Sequence, residues 1–341
     1  MLIVRPVRIS DLPAIERLAL ASGVGVTSLP ANREKLFEKL QRSISSFESE
    51  AIADIDAGND YYMLVLEEDG VVLGAAAIAS TAGFDEPFYT YRNETLVHAS
   101  RALKVNNRIH ALTMCHDLTG MVQLCGFFCE HPSQPYAAEL LSRARLMFLA
   151  GQRQHFGRRI IAEMLGVHDV AGQSPFWDAI GRRFFNMDFP QVEQAFAEHS
   201  KTFVAELMPP YPIYVPLLPD AAQHAIGQVH PAFEQPCRIL TREGFEADQY
   251  LDIFDGGAVL TAEIDRLFTL NNNDCLPVEI SASLPDSAED MLLANTLCSE
   301  FRSAVGKVAV VDGVAWLNPD VARALDLACG QSVRISPLQG E

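Results

Sequence analysis

Apolar positions along this chain follow two periods in turn, and the switches between them lay out an ordered series of strands and helices. LIVRPV (2–7) is an apolar strand run, and Ser10 and Asp11 stand where a helix N-cap is expected ahead of DLPAIERLALAS. After the loop TSLPAN (27–32), REKLFEKLQRSISSFESEA carries helical spacing. YYMLVLEEDG and VVLGAAAIAS (61–80) predict a hairpin turning at Asp69-Gly70. Residues 84–120 are polar and aromatic and predict loops with a second strand pair. QLCGFFCEHP (123–132) predicts a fully buried strand. It leads through SQPYAA (133–138) into a long helix, ELLSRARLMFLAGQRQHF, with apolar residues at Leu140, Leu141, Ala144, Met147 and Phe148. RRIIAEMLGV (158–167) is a further strand, and SPFWDAIGRRFF (174–185) predicts one helix capped by Ser174 with Pro175 at its first position.

The stretch 221–257, AAQHAIGQVHPAFEQPCRILTREGFEADQYLDIFDGG, places His230 on a short loop pinned by Pro231 between two helix-like patterns. A strand pattern and a Gly-Gly turn follow. From about 275 the texture changes to short β-like segments, VAVVDGVAWL and QSVRISPL, around a helix at DVARALDLACG. The expected organisation is a mixed central sheet flanked by helices over 1–270, an α+β class, and a small β-rich C-terminal module over 275–341. Strands of that tail are expected to be available for pairing with another chain.

Composition narrows the function classes. The chain has 341 residues, 49% of them hydrophobic, with 26 basic against 44 acidic residues and a formal net charge of -18. Such a surface repels a phosphate backbone, so no nucleic-acid partner is expected. No run approaches the roughly 18 apolar residues of a membrane span, and the first residues lack a secretory pattern. The seven cysteines are scattered without a CxxC pair. Reduced thiols in a cytoplasmic protein are expected. His110, Cys115 and His116 are the nearest approach to a metal cluster, and with no second cluster beside them no metal site is expected.

Strand, helix, helix, hairpin, buried strand, helix, strand is the order of elements in the GNAT-like acyl-CoA N-acyltransferases. Transfer from a thioester requires a cradle for the pyrophosphate, a donor for the carbonyl and a path for protons. The cradle is a Gly-rich turn at a helix N-terminus, yet Ser133–Ala138 has no glycine, and Pro135 lacks an amide donor. The carbonyl donor is a main-chain amide of the buried strand, expected near Phe127. His230 is the candidate for proton transfer and His116, beside Asp117, the second choice. Asp252, Asp255 and Glu206 are candidate partners for a cationic substrate.

SLPAN (28–32), LVHAS (96–100), DLTG (117–120), RRIIAEMLGV, SPFWDAIGRRFFNMDF (174–189), AELMPPYPIY (205–214), IGQVHP (226–231), REGF (242–245) and DIFDGG (252–257) together resemble arginine N-succinyltransferase. The match is dense to about residue 265 and loose beyond. The resemblance implies a GNAT-like core and transfer of succinyl from succinyl-CoA, a co-substrate rather than a bound cofactor, to the α-amino group of L-arginine. Ornithine is a further acceptor to weigh. The family's proton donor falls on His230, and its succinyl-CoA contact, commonly a leucine, falls on Phe127. Some organisms use related alpha and beta subunits, and this chain resembles an alpha subunit. A beta partner or self-association is therefore expected. The glycine-free turn leaves open a second reading, a non-catalytic or regulatory subunit that binds CoA weakly alone.

Overall fold

The computed structural model describes residues 1–23, 29–49, 58–130, 135–198 and 202–338. β1 (Leu2–Pro6) runs through a 3-10 turn into α1 (Leu12–Ser22) and α2 (Arg33–Glu48). Asp11 does not cap α1 through its side chain. Its carboxylate instead accepts from the Arg8 amide at 2.7 Å and from the buried Arg5 guanidinium at 2.8 and 3.1 Å. Asn32 caps α2, accepting from the Lys35 amide.

β2 (Tyr61–Glu68) and β3 (Val71–Ala79) form the expected hairpin, with Asp69 (φ 49) and Gly70 (φ 83) both left-handed as a two-residue turn requires. β4 (Thr90–Ser100) and β5 (Val105–Cys115) are the second pair, in register over eleven residues. β6 (Val122–Cys129), α3 (Ala137–Gly151) and β7 (Arg159–Glu163) follow. The predicted single helix at 174–185 is two, α4 (Pro175–Ala179) and α5 (Gly181–Phe185), broken at Ile180. A Cβ on Gly181 would strike the Trp177 ring, so the chain bends sharply over that indole. Ser174 does cap α4, accepting from the Trp177 amide. Next come α6 (Phe189–Glu198), α7 (Thr202–Leu207), β8 (Ile213–Tyr214), α8 (Asp220–Ala225), α9 (Glu234–Glu243), β9 (Glu246–Leu251), β10 (Ala258–Glu263) and α10 (Phe268–Asn271).

The central sheet runs β1-β2-β3-β6-β7-β10-β9-β4-β5-β8. It is mixed: β6 and β7 are parallel, whereas β3–β6 and β7–β10 are antiparallel. The β4–β5 hairpin does not return to β3, its neighbour in sequence, but joins the sheet through β9. α1 and α2 cover one face of the sheet, packing on Met63, Val65 and Ala75. α3 covers the other, with Leu141, Met147 and Phe148 on Leu64, Ala76 and Leu124.

The last strands are β11 (Asp274–Ile280), β12 (Glu289–Asn295), β13 (Ser303–Val311), β14 (Val314–Leu317) and β15 (Ser332–Pro337), with α11 (Pro319–Ala324) between the final two. Their order is β12-β15-β11-β14-β13, and β12 also pairs with β13. The ring closes into a five-stranded barrel around Val278, Leu293, Val308, Leu317 and Val333. Closure uses up the strand edges, so the expectation that this tail pairs with another chain through free edges is not met. The barrel instead meets β1 at Val4↔Ser303 and shares Leu292, Ala294 and Phe301 with the main core.

Because the barrel lies against it, α3 is enclosed on every side. All residues from Ala137 to Leu149 except Glu139 are buried. Within it the fully buried Arg143 pairs with Glu139 and with the equally buried Glu243, and its guanidinium donates to Ser336 Oγ and the Pro337 carbonyl.

Candidate active site

β6 and β7 pair over only three positions, Val122↔Ile160, Gln123↔Ile161 and Leu124↔Ala162. Gln123 Nε2 also donates across this contact to Glu163 Oε2 at 2.9 Å. Beyond Leu124 and Ala162 the two strands are no longer paired.

β6 is irregular at the point of parting. Ala77 faces Cys125 and Ala75 faces Phe128, so Gly126 and Phe127 together oppose Ala76, a β-bulge. Gly126 takes φ +60, a conformation that glycine adopts without strain. The strand was expected to be fully buried. It is not: buried and half-buried residues alternate up to the bulge, and Phe127 is half-buried.

The other wall is built from three segments far apart in sequence. Met164–Gly166 continues β7, and the His230 amide donates to the Leu165 carbonyl at 2.8 Å. The Gly227 amide donates to the Gly256 carbonyl at 2.8 Å. Asp255, 5% exposed, accepts from the Gly166 amide through Oδ2 and from the Gly257 amide through Oδ1, both at 2.7 Å. A Cβ on Gly257 would lie 2.2 Å from the Met164 carbonyl oxygen, so only glycine lets these backbones meet. The bond to the Leu165 carbonyl ties His230 to the continuation of β7, the strand whose pairing with β6 stops just short of the bulge.

His230 is half-buried and its ring stacks on His168, centroids 4.5 Å apart and planes 18° from parallel. Nδ1 accepts from the Ala232 amide at 3.2 Å, so the neutral ring carries its proton on Nε2. Burial, then the neighbouring His168, lowers its pKa below the ordinary 6.5. Protonation would also put a hydrogen on the nitrogen that caps Ala232. The resting ring is neutral.

The other candidates fall elsewhere. His116 is exposed on the turn after β5, and Asp117 there pairs with Arg92. Asp252 accepts from the Phe254 and Asp255 amides, so both it and Asp255 brace the backbone. Glu206 is exposed on α7. Among the described residues no three His, Cys, Asp or Glu converge as metal ligands. Ser133 and Gln134 of the expected phosphate turn lie outside the described residues. Tyr136, with φ 64, forms the left-handed N-cap of α3.

Sequence reasoning missed Tyr61. Its ring is 4% exposed, and its hydroxyl lies beside the Cys125 thiol with no oxygen or nitrogen partner among the described residues. A Cβ at Gly126 would lie 3.7 Å from that oxygen, which sets it beside the bulge. Ser46 Oγ accepts from the Tyr61 amide at 3.0 Å and anchors the residue from α2. Burial raises the phenol pKa well above its usual range, with the Cys125 thiol adding to the rise. An orphaned buried hydroxyl is a cost to the empty fold. Tyr61→Phe should therefore leave stability unchanged or raise it by about 1 kcal/mol. A lower urea midpoint in the variant would mean that the hydroxyl has a partner within the protein.

A mixed sheet split between its parallel strands, bulged at the split and followed by a helix after the bulged strand, is the architecture of GNAT-like acyl-CoA N-acyltransferases. Comparison with known proteins gives the family. The profile described as "Arginine N-succinyltransferase beta subunit" matches residues 2–269, and that of its C-terminal domain matches 274–337. The arginine N-succinyltransferase subunit alpha of Pseudomonas aeruginosa is 45% identical over 339 residues, 98% of this chain and 99% of that protein. Subunit beta of the same organism is 38% identical over 343 residues, 100% of this chain and 99% of that protein. The Escherichia coli arginine N-succinyltransferase is 37% identical over 344 residues, 100% of this chain and 99% of that protein. The solved arginine/ornithine succinyltransferase subunit AI of Pseudomonas aeruginosa superposes with a TM-score of 0.90 at 41% identity, covering 100% of this chain and 99% of that one. The chain belongs to the arginine N-succinyltransferase family and is an acyltransferase. Its relatives include both alpha and beta subunits. Among the described residues no helix is long and apolar enough to cross a membrane.

Proposed function

We propose that this chain transfers the succinyl group of succinyl-CoA to the α-amino group of L-arginine, acting in the cytoplasm in arginine catabolism. The observation that carries the mechanism is the split between β6 and β7, with the Phe127 bulge on one wall and His230 tied to Leu165 on the other. The pantetheine arm lies in the split, and the main-chain amide at Phe127 polarises the thioester carbonyl. The amine nitrogen attacks that carbonyl carbon, the C–N bond forms and the C–S bond breaks. The sulfur leaves as a thiolate that accepts a hydrogen bond from Nε2 of neutral His230. The proton lost by the amine balances the one that the thiol finally carries. No resident cofactor or metal enters these steps. The preferred assembly contains a related beta-type subunit.

Two alternatives have a specific motive. Ornithine is an acceptor to test, because the solved relative is named for both amino acids. A non-catalytic role is motivated by the start of α3, where Pro135 before it offers no amide and Ala137 and Ala138, its first two residues, are 0% and 1% exposed. Thiol release is measured with purified chain, succinyl-CoA and either amino acid, then with a beta-type subunit added. Turnover by the chain alone supports catalysis. Folded chain that is silent alone and adds nothing to the sibling's rate refutes it.

A further inference from the structure

Among the described residues three arginines are buried, Arg5 (7% exposed), Arg143 (0%) and Arg145 (2%). Arg5 meets Asp11 and Glu67, and Arg143 meets Glu139 and Glu243. Arg145 pairs with no carboxylate among the described residues. Its Nε donates to the Ser142 carbonyl at 3.1 Å and one Nη to Ser142 Oγ at 3.0 Å. The second Nη has no protein partner among the described residues. Burial draws the pKa down to about 10, which still leaves the group cationic at neutral pH.

A buried guanidinium without a counter-charge is costly, and its planar fork matches a carboxylate. Its position says which carboxylate. The guanidinium carbon sits 5.4 Å from the centre of the Phe127 ring, against the bulge where the thioester is read. Arg145 follows Ala137 by eight residues, about 12 Å along the helix axis, so it is removed from the phosphate end of the cleft. A succinyl group ends in a carboxylate two methylenes beyond the thioester carbonyl; acetyl and butyryl groups have none.

We propose that Arg145 determines acyl specificity by holding the terminal carboxylate of the succinyl group, so that the cleft selects a thioester with a free distal carboxylate over an uncharged acyl chain of equal length. This inference rests on the succinyl transfer proposed above. The Phe127 ring stacked on the guanidinium keeps water from the pair and sharpens the discrimination.

The test compares succinyl-CoA with butyryl-CoA, whose four-carbon chain ends in a methyl, on the full chain with the beta-type subunit present where turnover requires it. The wild type should prefer succinyl-CoA by about 10² or more in kcat/KM. In Arg145→Met that ratio should collapse by a similar factor, and Arg145→Lys should retain part of it. Equal use of both thioesters by the wild type overturns the proposal. So does an unchanged ratio in a folded Arg145→Met variant, or a raised KM for arginine with acyl preference intact. Should that variant fail to fold, the wild-type ratio and Arg145→Lys decide. Calorimetry separates the two readings: tighter binding of succinyl-CoA than butyryl-CoA without turnover sinks the catalytic reading and keeps this one. Equal affinities sink this one alone.

Discussion

Replacing His230 with alanine should lower turnover by about 10²-fold, the usual contribution of a positioned proton-handling group, with KM for succinyl-CoA changing far less. The split follows from the structure: the His230 backbone amide, not its side chain, ties the loop to Leu165, so the alanine variant keeps that tie and loses the ring with its bond to the Ala232 amide. The pH profile carries the sign of the mechanism. The working ring is neutral and its pKa is lowered, first by burial and then by His168. Activity should therefore hold from neutral pH down past 6.5, the group's ordinary value, and fall only below it. An activity that fell as pH rose through that region would make the imidazolium the working form. Retention of nearly full rate in the alanine variant would remove His230 from the chemistry.

The largest effect on stability should come from Asp255. Removing its carboxylate orphans two buried amides, those of Gly166 and Gly257, at about 1–3 kcal/mol each. Asp255→Ala should therefore destabilise the fold by about 3 kcal/mol, read as a fall in urea midpoint. Asp255→Asn keeps one acceptor and should lose less. The same change loosens the Gly166 backbone next to Leu165, so turnover should drop at temperatures where the variant is still folded. A midpoint within experimental error of wild type would show that those amides find other partners.

Much of the fold was legible because its signals are local. The hairpin at Asp69-Gly70, the Ser174 cap and the long helix after the bulged strand each need only neighbouring residues. His230 was legible as the one histidine pinned by a following proline between two helices. What a linear reading could not show is that MLG, GQVHP and DIFDGG form one knot, because the bonds joining them span up to 89 residues. That is also why Asp255 stood beside Asp252 and Glu206 as an unranked candidate partner for a cationic substrate, when its carboxylate is committed to backbone. Tyr61 was hidden by an apolar strand run in which a tyrosine reads as packing.

Arg145 left a faint signal. Residues two apart on a helix point about 200° away from one another, so Arg143 and Arg145 cannot share a solvent face when Ala144 and Leu141 define the apolar one. An isolated helix would have turned at least one of them outward. The barrel, a neighbour that a linear reading of α3 does not reveal, closes off that outlet for Arg143, while Arg145 lies over Phe127 of the central sheet.

The grip of Arg143 on Ser336 and Pro337 has a wider consequence. The last strand of the barrel is stitched through them to α3, the helix that covers one face of the central sheet. Burial of that guanidinium inside α3 is therefore complete only once the last barrel strand is in place against it.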